Sequence, residues 1–169
     1  MAKSDVGGGV APEITRLADQ LRLAFEGPSW HGPALLEVLA GVDAARAHAR
    51  PIAGAHSIWE IVLHLAGTYS LVTRRVAGDP RNLTPEEDWP PPPVAPDAAA
   101  WEAALDRLRR ANAAARDAVR RFDVRRLDEP LVAEPPYSAY TQFAGLPQHD
   151  LYHAGQIVML KKALAAGSA

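Results

Sequence analysis

His149 and His153 stand four residues apart in QHDLYHAGQIVMLKK (148–162), inside an otherwise apolar run. On a helix, residues at that spacing share one face with Cβ atoms roughly 5–6 Å apart, close enough for two imidazoles to bind one ion. The same spacing arises by chance in many helices, where both rings pack in a core, so the pair alone does not choose between the two roles. A third nitrogen would decide it. His64, in HSIWEIVLHLAG (56–67), is the candidate, placed with Ile61, Leu65 and Thr68 on the inward side of its segment. Three neutral imidazoles leave coordination positions open to water or substrate, the pattern of a catalytic rather than a structural site. HDLYH also touches the zinc-protease motif, which needs Glu after the first His as general base. Asp150 stands there instead, one methylene shorter, and a protease of that type is not expected.

Other polar residues nearby have plainer readings. His56 precedes a helix N-cap and is expected to pack at the helix entrance, stapled onto Ile61. Glu60 lies one turn before His64, but Ser57 and Glu60 form a capping box that already accounts for it. Gln156, one turn past His153, could orient a ligand or a bound water, or make an ordinary hydrogen bond within the bundle. His31, beside Trp30, could line the mouth of a pocket, and His48 is expected to be exposed.

The elements that must position these residues follow from apolar periodicity. A first helix is predicted from Pro12 to Phe25, with Ile14, Leu17, Leu21 and Phe25 as its seam. A Gly- and Pro-rich stretch then holds one or two short helices, such as Ala34–Leu39. The second long helix starts at the Ser57 cap, carries Ile58, Ile61, Leu65, Tyr69, Val72 and Val76, and ends at Gly78. From Pro80 to Pro96, including WPPPP, the chain is expected to be a non-helical long crossover. The third helix, Asp97 to Phe122, has Trp101, Leu105, Leu108, Ala115 and Val119 on its seam, with Asn112 as a register or hydrogen-bonding device. Its arginines alternate with aspartates and form a solvated face. A last helix begins between Tyr140 and Gln148, Pro147 leaving its start open, and turns Leu146, His149, His153, Ile157, Leu160 and Leu164 inward. Four long helices, one long connection and no strand predict an all-α four-helix bundle over residues 11–166, preceded by a flexible glycine-rich leader over 1–10.

Composition narrows the function. The 169 residues are 48% hydrophobic and 22% charged with net charge −2, which gives no electrostatic reason to expect nucleic acid. There is no cysteine, so thiolate metal sites, disulfides and a protein thiol nucleophile are excluded. No signal-peptide core or apolar run of membrane-spanning length occurs, and a cytoplasmic location is expected.

HSIWEIVLHLAG taken together with HDLYHAGQIVMLKKAL resembles the DinB/YfiT-like superfamily, which is unrelated to the DNA polymerase sharing the DinB name. GPSWHGPALLEVLAG upstream extends the resemblance over most of residues 12–165. It implies a four-helix bundle holding a divalent metal, zinc or nickel, on three histidines, which match His64, His149 and His153 here. Relatives of this kind include thiol transferases that use bacillithiol or mycothiol, a thiol-dependent maleylpyruvate isomerase, and metal-dependent hydrolases; a homodimer is also implied. The expected function is a metal-dependent enzyme that activates water or a low-molecular-weight thiol toward a small-molecule substrate, with no nucleic-acid or membrane partner. The lack of cysteine suits a transferase whose reactive sulfur arrives with the cosubstrate, and suits a hydrolase equally. No general base is evident beside the three histidines, which keeps a second reading open: a non-catalytic, stress-linked, metal-binding dimeric bundle.

Overall fold

The computed structural model describes residues 12–167, and the leader expected over residues 1–10 lies outside them. Seven α-helices occur among the described residues: α1 Glu13–Glu26, α2 Leu35–Leu39, α3 Ala44–His48, α4 Ile58–Val76, α5 Pro85–Asp88, α6 Ala98–Arg121 and α7 Ala139–Ala166. No strand is present among them, and one isolated antiparallel bridge joins Pro130 to Ser138. The four long helices α1, α6, α4 and α7 pack in a ring, each touching the next. Their inward seams, with Leu21, Trp59, Leu65, Trp101, Leu108 and Ile157 among them, form one continuous core. None of the described helices is long and apolar enough to cross a membrane.

Helix direction dictates where the crossover goes. Trp59 at the start of α4 lies 5.1 Å from Trp101 at the start of α6, centroid to centroid, and Tyr69 further along α4 meets Asn112 further along α6. The two helices therefore run parallel. At about 1.5 Å per residue, the 19-residue α4 is about 28 Å long, and residues 77–97 must carry the chain back over that distance. α7 runs opposite to α4, since Arg75 donates to Gln142 at 2.9 Å while His64 meets His149 and His153 at the other end.

Two expectations about these connections need correction. The crossover is not wholly non-helical, because α5 forms one turn within it. Pro85 sits at the first helical position, where its missing N–H costs nothing, and Thr84 and Glu87 cap each other reciprocally at 3.2 and 3.0 Å. The last helix begins at Ala139, capped by Ser138, and passes through Pro147 without ending. Phe143 and Leu146 are buried on the turn before the proline, and their packing offsets a backbone penalty of about 3 kcal/mol.

Candidate metal centre

Capping fixes where α4 begins and hence which way His64 points. Ser57 accepts from the Glu60 N–H at 3.2 Å, and the Glu60 carboxylate accepts from the Ser57 N–H at 2.7 Å and from Arg50 at 2.5 Å. Glu60 is thus occupied as the capping partner, and its carboxyl is held below the ordinary range: burial raises it, but the hydrogen bonds from Ser57 and Arg50 outweigh burial. One turn later His64 is buried and faces α7.

The three histidines converge. His149 Nε2 lies 3.0 Å from His64 Nε2 and 3.0 Å from His153 Nε2. Two of the rings are fixed at the Nδ1 edge away from the cluster. His64 Nδ1 donates toward Asp88, 2.8 Å from its backbone oxygen and 3.0 Å from Oδ1. His153 Nδ1 donates to Gln156 Oε1 at 2.6 Å, so Gln156 orients a ring of the cluster. With their protons on Nδ1, both rings present a bare Nε2 lone pair to His149. The His149 Nε2 can carry at most one hydrogen, so at least one of the two 3.0 Å contacts sets lone pair against lone pair. A cation between the nitrogens turns that repulsion into attraction.

Three neutral nitrogen donors could hold a metal ion, and their type suits a first-row transition metal over calcium or magnesium, which demand oxygen. Burial pushes His149 down to about 4, with His153 and His64 adding repulsion. Burial likewise pushes His153 down to about 4, opposed by the Gln156 bond and reinforced by His64 and His56. Both rings are therefore neutral at pH 7, the form a metal requires.

The crossover supplies a wall that sequence reading missed. Trp89, just after α5, stacks on His64 at 4.0 Å with 1° between planes, and His56 stacks on its other face at 3.6 Å and 7°. His56, at the entrance of α4, is consequently a partner of Trp89, a contact its position in the sequence did not suggest. Gly67 lets the crossover come this close, since a Cβ there would stand 3.2 Å from the Glu87 backbone oxygen. A mid-helix glycine costs about 1 kcal/mol against alanine and was the available clue that something passes over that point. His48 is half-buried where exposure was expected, because it reaches the Pro93 oxygen at 3.0 Å and helps pin the same strap.

A family model for the DinB superfamily matches residues 29–157. The chain belongs to the DinB superfamily. No curated protein and no solved structure matches it. The matched span of this DinB-superfamily chain includes the three histidines, Gln142, the whole crossover and the His56–Trp89 stack.

The histidines open onto a cavity of about 760 Å³, lined also by His56, Trp89, Tyr152, Gln156 and Met159. Trp30 and His31 do line a cavity, as their position suggested, but a separate one of about 540 Å³ between α1 and α7. Beneath the cluster, Asp150 points the other way into the core. Its carboxylate accepts from the Tyr69 hydroxyl at 2.5 Å, Asn112 faces that hydroxyl from α6, and burial pushes Asp150 up to about 8 against the lowering effect of the Tyr69 bond. Asn112 thus serves the polar node expected of it, and Asp150, noted in sequence only for spoiling a protease motif, belongs to the same node.

Proposed function

We propose that this protein is a metal-dependent enzyme in which His64, His149 and His153 hold zinc or nickel and activate water or a low-molecular-weight thiol toward a small-molecule substrate. The reading rests on the convergence of three Nε2 atoms at the floor of a cavity, two of them on rings whose Nδ1 is already committed to an acceptor. An ion bound there supplies Lewis acidity that brings deprotonation of water or a thiol into the neutral range.

The chain's own residues provide the rest. Asp88 and Gln156 keep the lone pairs of His64 and His153 aimed at one point. His56 lines the same cavity, lies flat on Trp89, and has its Nδ1 3.6 Å from the buried Glu60 carboxylate. In this reading His56, the imidazole of the cavity wall outside the triad, accepts a proton at Nε2 from the nucleophile and returns it to the leaving group.

Protein purified without a histidine tag should contain close to one divalent ion per chain, and His153→Ala should strip it. Unchanged metal in that variant sinks the ligand set. Metal-loaded protein is then offered small thiols with an electrophile, and separately esters and amides. Turnover in one series identifies the transferase or the hydrolase, and none in either leaves a metal-binding module without catalysis.

A further inference from the structure

Gly155 stands well inside α7, where glycine costs about 1 kcal/mol against alanine. At Gly67 that cost is offset because the crossover closes on α4, but a Cβ at Gly155 would meet nothing within 4 Å. Packing within the chain therefore gives no reason for a bare backbone there. Tyr152 and Met159, one turn to either side on the same face, are 64% and 58% exposed, so Gly155 is a notch in a crest of large side chains. The notch joins two hollows. On one flank of α7, the cavity of the three histidines has Gly155 in its wall together with Tyr152 and Met159. On the other flank, a smaller hollow of about 220 Å³ is lined by Gly155, Pro33, Val38, Ala154 and Val158.

The smaller hollow has one polar side chain in its wall, that of His31, and no charged one. Its Val38 side is tied to α7 by Lys161, whose ammonium donates to the Val38 oxygen at 2.7 Å and to the Ala40 oxygen at 3.3 Å. A small apolar hollow reached through a gap between side chains suits an unbranched hydrocarbon chain, whose burial is favourable in proportion to its length. With its side chains a helix is about 10–12 Å across, so a chain of a few carbons stays in the histidine cavity and only a longer one crosses the crest. We infer that the substrate of the metal centre carries a linear apolar tail, which leaves the histidine cavity over Gly155, between Tyr152 and Met159, and ends against Val38 and Val158. This inference rests on the metal-dependent reading above and concerns the body of the substrate, not its reacting group.

The test uses straight-chain hydroxamic acids from butanohydroxamic to decanohydroxamic acid, which share a metal-binding head and differ only in tail length. Each is titrated calorimetrically into zinc-loaded protein, with zinc content measured on the same sample. In the wild type, affinity should climb along the series by about fourfold for each further methylene buried. Gly155→Leu fills the notch at a position with free space around it. It should leave butanohydroxamic acid unaffected and weaken decanohydroxamic acid about tenfold or more. Val158→Asp, in the smaller hollow and outside the histidine cavity, should weaken the decano probe alone by a similar factor. A flat series in the wild type, no binding of any probe, or a decano probe held equally by wild type and either variant overturns the inference while the metal reading stands. Protein that holds no zinc sinks the metal reading and this inference with it.

Discussion

Asp150→Asn should make the metal-free protein less sensitive to pH, with opposite effects at the two ends of the range. Asp150 is 1% exposed, its Oδ1 accepts from Tyr69, and its Oδ2 has no hydrogen-bond partner. Burial raises its folded-state value to about 8, against 3.8 for the free side chain. The folded state therefore holds a proton that the unfolded chain releases. The stability this proton contributes is complete below about pH 4, declines as pH rises, and is gone above about pH 8. At 1.36 kcal/mol per unit, the decline is about 1.4 kcal/mol per pH unit and on the order of 5 kcal/mol across the window. Asparagine does not titrate, so the variant loses this slope. At pH 5 it should be destabilised by about 1 kcal/mol or more, because its amide nitrogen buries two donor hydrogens without an acceptor where the protonated acid buries one. At pH 9 it should be the more stable protein by a few kcal/mol, since wild type then buries a full carboxylate. Urea unfolding of chelator-treated wild type and variant at pH 5, 7 and 9 measures this directly. Free-energy curves that run parallel, with no crossing, would refute the assignment of a raised Asp150.

Three further outcomes follow from the centre's surroundings. Gln156→Leu removes the acceptor for His153 Nδ1 and should weaken zinc binding about 10- to 100-fold by competition with a chromophoric chelator, whereas Asp88→Ala should cost less because the Asp88 backbone oxygen still accepts from His64. Gly67→Val pushes α5 off α4 at the Glu87 oxygen and should weaken zinc about tenfold with helix content by circular dichroism unchanged; full affinity would show that the strap does not bear on His64. His56→Gln should keep full zinc content yet lower kcat about 100-fold at neutral pH on whichever substrate series turns over, and an unchanged kcat removes His56 as the proton carrier.

Legibility in the sequence tracked how local each determinant was. The α4 start was readable because Ser57 and Glu60 are three residues apart and satisfy each other. The seams of α1, α4 and α6 were readable because burial imposes the helical period on Ile, Leu, Val and Trp. His64 could be matched to His149 and His153 since all three lie on such seams. Trp89 and Asp88 could not be. Their role comes from a contact with His64 more than twenty residues away, made by a segment whose prolines suppress any periodic signal. The core role of Asp150 was hidden for a related reason. Beside two histidines it was compared with a motif, but its partners Tyr69 and Asn112 come from two other helices.

The wall over the histidines is a consequence of connectivity. Parallel packing of α4 and α6, set by Trp59 on Trp101 and Tyr69 on Asn112, obliges the chain to travel the length of the bundle between them. Such a return strand can lie over α4 only where the helix surface is flat enough, and Gly67 provides that place one turn beyond His64. Once there, the Thr84–Glu87 capping box starts a single turn and Pro90 ends it at Asp88, so that the next residue, Trp89, leaves the helix beside His64. Prolines 90–93 then hold the chain extended toward His48, whose bond to the Pro93 oxygen anchors the far side. Each step is needed for the next: without the glycine the turn stands off, and without the turn Asp88 does not reach the Nδ1 edge of His64 nor Trp89 its face.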